Sequence, residues 1–300
     1  MNRLKDGYVL VPNPFNSNQV SKVLLHPETI ECIVFWTKNP SGLMNRLQEI
    51  DELGYTYYFQ FTITSYDKDI EGNMPDKQKI LHIFQRLSEE IGREKVIWRY
   101  DPVLLTAKYN IGYHLELFSY FAESLCGYTN KCTISFIDMY KKCVKNLKEI
   151  PIKPINDSIK KHLANSFSKF ASNFDISVES CAEMLMLSDF GVKPSKCIDD
   201  QLISDIIGRR IKVGKDKSQR HQCGCIKSVD IGSYNTCIHG CKYCYATYSK
   251  KKSIDNFGKH KISSPRLIDN FSGNEKITER PAQRPGSDHG IGIGGEKFPG

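Results

Sequence analysis

Short apolar runs alternate with amphipathic stretches along the first two thirds of the chain. The apolar runs are rich in β-branched and aromatic residues and lie at 7–13, 32–39, 55–64, 95–103, 131–138 and 174–180. Runs of this kind are typical of parallel strands that are buried on both faces. The stretches between them have helical periodicity and lie at 41–54, 76–92, 113–127, 139–150 and 157–172. Strand and helix units at this spacing predict an α/β fold with parallel strands and right-handed crossovers.

Six strands of this kind predict a parallel (β/α) barrel or a partial TIM-like barrel, with an open doubly wound sheet as the alternative. In either architecture the loops at the C-terminal strand ends carry the chemistry. The polar residues at these ends are Lys38, Asn39, Thr62, Thr64, Arg99, Asp101, Asp138 and Glu179. Helix N-caps use the same residue types, so each has a structural alternative. Lys38, Arg99 and Asp101 are the candidate catalytic residues, and a structural ion pair is the alternative for Arg99 with Asp101.

The regular alternation ends in the C-terminal third of the chain. Residues 198–208 have the pattern of one more helix, and residues 209–222 form a basic linker. We therefore divide the chain into a barrel portion at 1–208, a basic cysteine-rich segment at 209–262 that completes the barrel, and a tail at 263–300. The last part of the tail has no hydrophobic period, so we expect the tail to be disordered.

Charge is distributed unevenly between these parts. From Arg209 onward the chain has 18 Lys and Arg residues against 8 Asp and Glu residues, whereas residues 1–208 have 24 against 26. The basic part contains the cysteine-rich segment. This asymmetry favours an anionic partner, which would be nucleic acid, a phosphorylated substrate or a negatively charged cluster. A solvated basic tail is the alternative.

The expected compartment decides how the cysteines are interpreted. No apolar run approaches the roughly 18 residues that a membrane helix needs, and residues 1–15 lack the apolar core of a signal peptide. We therefore expect a cytoplasmic protein with no membrane partner. In a reducing compartment thiols rarely persist as structural disulfides, so the 11 cysteines are better candidates for metal ligands or reactive groups.

Three cysteines lie on one short loop near the C-terminus. Cys237, Cys241 and Cys244 have the spacing C-x3-C-x2-C, with Gly240 supplying a flexible backbone. Structural zinc sites usually take four protein ligands from two separated pairs, so three thiols on one loop suit zinc poorly. A [4Fe-4S] cluster is normally held by four thiolates. Three thiolates would therefore leave one iron open to a further ligand.

The segment NTCIHGCKYCYA resembles the cluster loop of the radical S-adenosylmethionine (SAM) superfamily, in the version found in spore photoproduct lyase and DNA repair photolyase-like proteins. The resemblance implies that Cys237, Cys241 and Cys244 bind three irons of a [4Fe-4S] cluster and that SAM chelates the fourth. It implies that Tyr243 lies over the cluster and the adenine. An electron donor would reduce the centre, and SAM would yield a radical that abstracts hydrogen from substrate. The resemblance leaves the substrate open, with nucleic acid as one candidate.

A second resemblance covers nearly the whole chain. FWTKNP, YYFQFTIT, WRYDPV and CGCIKSVDIGSYNTC, in this order, are similar to the domain of unknown function 1848 family, which keeps its cysteines near the C-terminus. Compared with ordinary radical SAM enzymes, this order implies a circular permutation in which residues 227–235 supply the first strand and the barrel closes from Tyr8 onward. The family pattern also implies a strand before Met1. The Gly-Gly-Glu motif that binds the SAM amine in many radical SAM enzymes occurs here only in the tail, at 294–296.

In this enzyme interpretation the polar strand ends acquire expected roles. Lys38 and Arg99 would meet carboxylate or phosphate groups. Asp101 or Glu179 would hold the ribose or the amine of SAM.

Four further cysteines lie at predicted loop positions. They are Cys181 after a strand, Cys197 before the last helix, and the C-x-C pair Cys223 and Cys225. Four such thiols would hold an auxiliary iron–sulfur cluster or a zinc ion. The alternative is that Cys181 and Cys197 are buried small hydrophobic residues, and that Cys223 and Cys225 are redox-active or inert.

The sequence therefore supports two functions from different classes. The first is a radical SAM-like enzyme with SAM, an electron donor and an unidentified substrate as its partners. The second is a non-catalytic module in which zinc or an iron–sulfur cluster staples the basic segment for nucleic-acid binding. A nucleic-acid surface would use aromatic and basic residues that are interleaved near the loop. They are Tyr234, Tyr243, Tyr245, Tyr248, Lys242 and Lys250–Lys252.

Overall fold

The chain begins with a short helix and an antiparallel pair of strands. The computed structural model describes residues 1–280 except 14, 15, 17, 140, 269, 270 and 272. Helix α1 (Asn2–Asp6) ends at Gly7, whose φ of 72° is the left-handed conformation that glycine adopts without strain. Strand β1 (Tyr8–Pro12) pairs antiparallel with β2 (Gln19–Leu24). The run at 7–13 is therefore not a strand of the parallel sheet, because a second strand follows it before any crossover helix.

The remaining predicted strands form one parallel sheet, which confirms the α/β fold. Its strands are β3 (Ile33–Thr37), β4 (Tyr57–Thr62), β5 (Val96–Val103), β6 (Lys131–Phe136), β7 (Ser177–Ser180) and β8 (Lys193–Pro194). Their spatial order is their chain order, and every neighbouring pair is parallel. The sixth strand is thus the short β8, which the sequence pattern did not indicate.

Helices connect the strands and follow them. They are α2 (Ser41–Met44), α3 (Leu47–Glu52), α4 (Lys77–Ile91), α5 (Ile111–Ser124), α6 (Lys141–Asn146), α7 (Asp157–Ser172), α8 (Asp200–Ile207) and α9 (Lys250–Gly258). Four of them begin after a residue whose side chain accepts a hydrogen bond from a backbone N–H of the first turn. These N-caps are Asn110, Asn156, Asp199 and Ser249.

One face of the parallel sheet packs against the long crossover helices. Alternate residues of a strand point to opposite faces, and we call the face that bears Phe59, Phe61, Trp98 and Tyr100 the aromatic face. Trp98 stacks on Phe118 of α5 with ring centroids 4.8 Å apart. These aromatic side chains and those of α4, α5 and α7 are buried in the largest core cluster of the described residues.

The opposite face of the sheet packs against α8 and the segment that follows it. We call this face, which bears Tyr58, Gln60, Ile97 and Arg99, the cysteine face, because Tyr58 donates a hydrogen bond to the Cys197 carbonyl oxygen at 2.7 Å. Tyr58 and Ile97 of this face are buried in one cluster with three isoleucines from α8 and the segment after it. These are Ile203, Ile211 and Ile226. The basic linker therefore packs as part of the main fold.

The sheet is open, and a closed barrel is not observed among the described residues. No described strand joins β3 to β8, so both remain edges. Residues 227–235, predicted as the first barrel strand, form no strand. The Gly232 N–H donates to the Asp230 carboxylate at 2.8 Å, and Asn235 has a φ of 52°. A side-chain turn and a left-handed residue are incompatible with extended backbone.

Part of the predicted tail folds back onto the N-terminal strands. Strand β9 (Lys276–Glu279) pairs parallel with β2 and completes a three-stranded sheet. Lys22 forms an ion pair with Glu279 at 3.0 Å, and the Leu10 N–H donates to the Pro265 carbonyl oxygen at 2.9 Å. Residues 276–279 are thus ordered because a sheet edge was available to them. Residues 281–300, with the Gly-Gly-Glu at 294–296, lie outside the described residues.

Across the part of the chain that is described, no helix is both long enough and apolar enough to span a bilayer.

Candidate metal centre

The loop with Cys237, Cys241 and Cys244 is docked on the connection between β4 and α4. Cys241 forms an antiparallel bridge with Glu71, and the Lys242 N–H donates to the Ile70 carbonyl oxygen at 2.9 Å. This connection leaves the C-terminal end of β4. The three cysteines therefore lie at the C-terminal edge of the parallel sheet, where α/β folds place their sites.

The loop of Cys237–Cys244 is folded into a turn that is fixed at several points. Gly240 has a φ of 70°, which a residue with a side chain adopts only with strain. The Asn73 side-chain amide donates to the Ile238 carbonyl oxygen at 2.6 Å. The Cys244 N–H donates to the Cys241 carbonyl oxygen at 3.2 Å. Backbone conformation and one asparagine thus hold the turn in place.

The electrostatics of the loop favour protonated thiols unless positive charge is close. The pKa of Cys241 is raised to about 12, chiefly by burial and also by the nearby Glu71, Cys244 and Cys237, whereas Lys38 acts to lower it. Cys241 is buried, Cys244 is half-buried and Cys237 is exposed. A metal ion would supply the missing positive charge and would bind these cysteines as thiolates.

A buried carboxylate lies directly beneath the loop. Glu71 is 1% exposed and forms ion pairs with Lys38 at 2.9 Å and Lys77 at 2.8 Å. It also accepts hydrogen bonds from the hydroxyls of Thr64 and Tyr243. Burial alone would raise the pKa of Glu71, but the two lysines hold it at about 2. Glu71 therefore stays ionised and joins the cysteine loop to the sheet edge.

Sequence reasoning did not single out Glu71. It lies in DIEGNMPD, between a strand and a helix, where one acidic residue among several carries no distinctive pattern. The sequence signal that could have pointed to an acidic partner is Lys38, at the end of the strand before β4, which the structure places beside Glu71 and the loop. A lysine that is partly buried at a sheet edge favours an anionic partner.

Tyr243 is oriented toward the sheet edge. Its hydroxyl donates to Glu71, its ring centroid lies 5.7 Å from the Lys38 ammonium, and its ring is tilted against Tyr66 with a centroid separation of 5.7 Å. This arrangement gives Tyr243 a structural contact in the floor of the loop. A role above a cluster and adenine stays a prediction.

Arg99 and Asp101 form an ion pair on the C-terminal part of β5. Arg99 is 5% exposed, and its guanidinium also contacts the Gln60 side-chain oxygen at 3.2 Å and the Cys197 sulfur at 2.9 Å. Asp101 accepts a hydrogen bond from the Ser135 hydroxyl. The structural ion pair that was the alternative to a catalytic role for Arg99 and Asp101 is thus observed. Arg99 lies on the cysteine face, against Cys197.

Glu179 is paired on a different part of the sheet. Its carboxylate forms an ion pair with Lys131 at 3.0 Å, and Lys131 also contacts Asp199 at 3.3 Å. Lys131 is the first residue of β6, so this carboxylate is directed toward the N-terminal edge of the sheet. The structure does not bring Glu179 together with the cysteine loop, and a role in holding SAM stays a prediction.

The other four loop cysteines converge on the cysteine face. Cys197, Cys223 and Cys225 are buried in one cluster, and Cys181 packs against it. The sulfurs of Cys181 and Cys197 are 3.2 Å apart. These residues come from the end of β7, the approach to α8 and the stretch that directly follows the basic linker. Tertiary structure has gathered thiols that are up to 44 positions apart in the sequence.

Neither group of cysteines has completed coordination geometry. In the described portion of the chain, no set of three or more histidine, cysteine, aspartate or glutamate side chains is arranged so that it could hold a metal ion as it stands. The donor chemistry still differs between the two groups. The loop offers three thiols at a sheet edge, and the cysteine face offers three buried thiols and the partly buried Cys181.

Comparison with known proteins identifies the family. Searches of curated proteins and of solved structures found no match. A family model described as a domain of unknown function, DUF1848, matches residues 1–246. The matched region contains the parallel sheet, Glu71 and both groups of cysteines. Since it covers most of the 300 residues, the chain belongs to the DUF1848 family.

Proposed function

We propose that the protein is an iron–sulfur enzyme of the radical SAM type. In this proposal Cys237, Cys241 and Cys244 hold three irons of a [4Fe-4S] cluster, and SAM binds the fourth. The observation that carries the proposal is the docking of a C-x3-C-x2-C loop on the C-terminal edge of a parallel sheet, through the Glu71–Cys241 bridge. Three thiols that share one loop provide three ligands and leave one iron position for a cofactor.

The bound [4Fe-4S] cluster would supply one-electron reduction of SAM, after an external electron donor has reduced the cluster. The chain's own residues would position the ligands and balance charge. Lys38 lowers the pKa of Cys237 and of Cys241, against the effect of burial, and so favours their thiolates. Glu71 fixes Lys38 at 2.9 Å. It also holds Tyr243, the residue before Cys244, and thereby sets the height of the loop above the sheet.

The fold is compatible with this assignment at the level of a partial barrel. In this proposal the six parallel strands correspond to part of a (β/α) barrel, and the cysteine loop follows them in the sequence instead of preceding them. The large apolar residues of β4 and β5 would keep water from the inner end of the site. The substrate is proposed to be anionic, with nucleic acid as the leading class, because the residues from Arg209 onward carry the net positive charge.

Anaerobic reconstitution of the full chain with iron and sulfide tests the proposal. We expect iron and acid-labile sulfide to bind in proportion, and the electron paramagnetic resonance spectrum of the reduced protein to change when SAM is added. Reductive incubation with SAM should then release 5′-deoxyadenosine. Replacing Cys237, Cys241 and Cys244 together by alanine should abolish all three signals, whereas Cys126→Ser, at an exposed cysteine, should leave them unchanged. A spectrum that does not respond to SAM would refute the proposal.

A second candidate function is favoured by one feature of the surface. Tyr234, Tyr245 and Tyr248 are exposed near the N-terminus of α9, and the Lys252 ammonium lies 5.8 Å from the Tyr248 ring centroid. Exposed aromatic rings beside lysines suit stacking and phosphate contacts in single-stranded nucleic acid. In this candidate a zinc ion or an iron–sulfur cluster only staples the segment. It predicts salt-dependent oligonucleotide binding without 5′-deoxyadenosine release.

A further inference from the structure

We propose that Cys181, Cys197, Cys223 and Cys225 form a structural zinc site on the cysteine face, separate from the loop of Cys237, Cys241 and Cys244. The four residues belong to three segments that are distant in the sequence, yet they pack as one group. Four thiolates are a common ligand set of structural zinc.

Hydrogen-bond donors are directed at the sulfurs of this group. The Ile198 backbone N–H donates to the Cys225 sulfur at 3.4 Å, and the Arg99 guanidinium donates to the Cys197 sulfur at 2.9 Å. A neutral thiol gains little from such donors, because sulfur is a weak acceptor. Thiolates bound to a metal are commonly stabilised by donors of this kind. The surroundings therefore suit metal-bound thiolates.

The spacing of the sulfurs favours a single ion over a cluster. The Cys181 and Cys197 sulfurs are 3.2 Å apart. A tetrahedron with Zn–S bonds of about 2.3 Å has sulfurs about 3.8 Å apart, so a small side-chain rotation converts the observed contact into a ligand pair. A [4Fe-4S] cluster has to enclose eight atoms between its ligands and would require much larger separations.

The backbone around the C-x-C pair is packed tightly enough to hold the ligands. A Cβ atom on Gly224 would come 3.1 Å from the Lys196 Cγ atom and 3.4 Å from the Ser195 carbonyl oxygen. The Ile226 N–H donates to the Ile198 carbonyl oxygen at 3.1 Å. Glycine thus allows the segment of Cys223 and Cys225 to lie against the segment of Cys197. The two segments form one ligand platform.

A buried cation lies against this group of cysteines. Four thiolates and one Zn²⁺ carry a net charge of −2, which is unfavourable in a buried place unless cations are near. Arg99 is buried against this group and supplies one positive charge. Its ion pair with Asp101 orients the guanidinium. Arg99 is therefore assigned as a positioning residue of the metal site.

The site would fasten the basic cysteine-rich segment at 209–262 to the sheet. Cys223 and Cys225 lie in that segment, whereas Cys181 and Cys197 follow β7 and β8. Coordination by all four leaves no open position, which is the property of structural zinc sites. The same segment continues to the loop of Cys237–Cys244, so its attachment would limit where that loop can lie.

Metal analysis of the full-length protein tests this inference independently of the proposed function. The test protein is the Cys237→Ala, Cys241→Ala, Cys244→Ala variant, which lacks the other cysteines under discussion. We expect it to be purified with about one zinc per chain, without sulfide. Adding Cys223→Ser and Cys225→Ser to this variant should reduce the zinc content at least tenfold. The matched control adds Cys126→Ser instead and should retain the zinc.

Cobalt loading covers the case in which the serine variants fail to fold. The triple-alanine variant, freed of zinc and loaded with Co²⁺, should show intense thiolate-to-cobalt charge-transfer absorption and tetrahedral visible bands. Octahedral cobalt without thiolate bands would overturn the inference. So would iron with stoichiometric sulfide in this variant, since it would indicate an auxiliary cluster. Recovery of a Cys181–Cys197 disulfide from protein purified under reducing conditions would also overturn it.

Discussion

The hydroxyl of Tyr243 donates a hydrogen bond to the carboxylate of Glu71, across 172 positions of the sequence. Tyr243 lies between Cys241 and Cys244, and Glu71 lies at the C-terminal edge of the parallel sheet. Lys38 and Lys77 hold the same carboxylate at 2.9 and 2.8 Å. This hydrogen bond therefore connects the candidate metal loop to the buried, ionised carboxylate of Glu71 at the sheet edge.

Replacing Glu71 should destabilise the protein strongly. Glu71→Gln leaves Lys38 and Lys77 without their anionic partner in a largely buried place, and breaking a buried pair in this way costs about 3 kcal/mol or more. Urea unfolding followed by circular dichroism measures the change. Asp67→Asn removes the exposed ion pair with Lys108 and is expected to change the free energy of unfolding by less than ~1 kcal/mol. Equal effects of the two substitutions would contradict the assignment.

The same carboxylate should give the protein a specific acid sensitivity. The pKa of Glu71 is about 2 in the folded protein and 4.5 ordinarily. The folded state therefore binds this proton less readily than the unfolded state, and stability is lost as the pH falls from about 4.5 toward 2. The difference in unfolding free energy between wild type and Glu71→Gln should shrink over this window. A difference that is constant with pH would show that Glu71 does not titrate as described.

The Tyr243 hydroxyl should be coupled energetically to Glu71. Tyr243→Phe removes a hydrogen bond to a charged group and should lower the free energy of unfolding by roughly 1.5–3 kcal/mol. In a double-mutant cycle with Glu71→Gln, the two effects should not add, because the second substitution finds the contact already altered. Tyr245→Phe is the matched control, since this tyrosine is 61% exposed. Additive effects would indicate that the hydroxyls and carboxylate do not interact.

Replacing Arg99 should lower the stability of the protein and leave the iron and sulfide content of the loop unchanged. Arg99→Gln keeps a polar side chain but leaves Asp101 without its cation, and we expect a loss of about 3 kcal/mol in unfolding free energy. Iron and sulfide bound at the loop of Cys237–Cys244 should be unchanged. Unfolding curves and metal analysis on the same samples separate the two effects. Unaltered stability together with weaker SAM binding would instead assign Arg99 to the cofactor.

His114 should remain neutral well below its ordinary titration range. Its ring nitrogens contact the Tyr100 hydroxyl at 2.8 Å and the Leu104 carbonyl oxygen at 2.9 Å, and burial lowers its pKa from 6.5 to about 4. The unfolded chain binds this proton more readily, so His114 contributes to a loss of stability as the pH falls from about 6.5 to 4. Nuclear magnetic resonance titration of the ring should show no protonation above pH 5. A midpoint near 6.5 would contradict the burial of the ring.

Several elements were predictable because their pattern is local. WRYDPV indicated a buried strand, and β5 lies there, between β4 and β6 in the sheet. The run at 7–13 has an equally apolar composition, yet β1 pairs antiparallel with β2. Apolar periodicity indicates that a strand is buried, but its pairing partner depends on tertiary context that the local pattern does not contain. The same limit explains why β8 and β9, which are short and polar, were not foreseen.

The candidate site also contains residues that a local sequence pattern revealed and one residue that it did not. Cys237, Cys241 and Cys244 were recognised because three thiols at fixed spacing form a local pattern. Glu71 was missed because its significance depends on Lys38, Lys77 and Tyr243, none of which is adjacent to it in the sequence. Its burial is a property of the packed sheet edge.

The amino-acid sequence by itself determined the alternation of strands and helices, the membership in DUF1848 and the thiol spacing of the loop, because each depends on residues that are near one another in the chain. Only the tertiary structure decided that the sheet is open, that a buried carboxylate anchors the loop, and that four further cysteines meet on one face. Those features depend on long-range packing, in which segments compete for the same edges and faces.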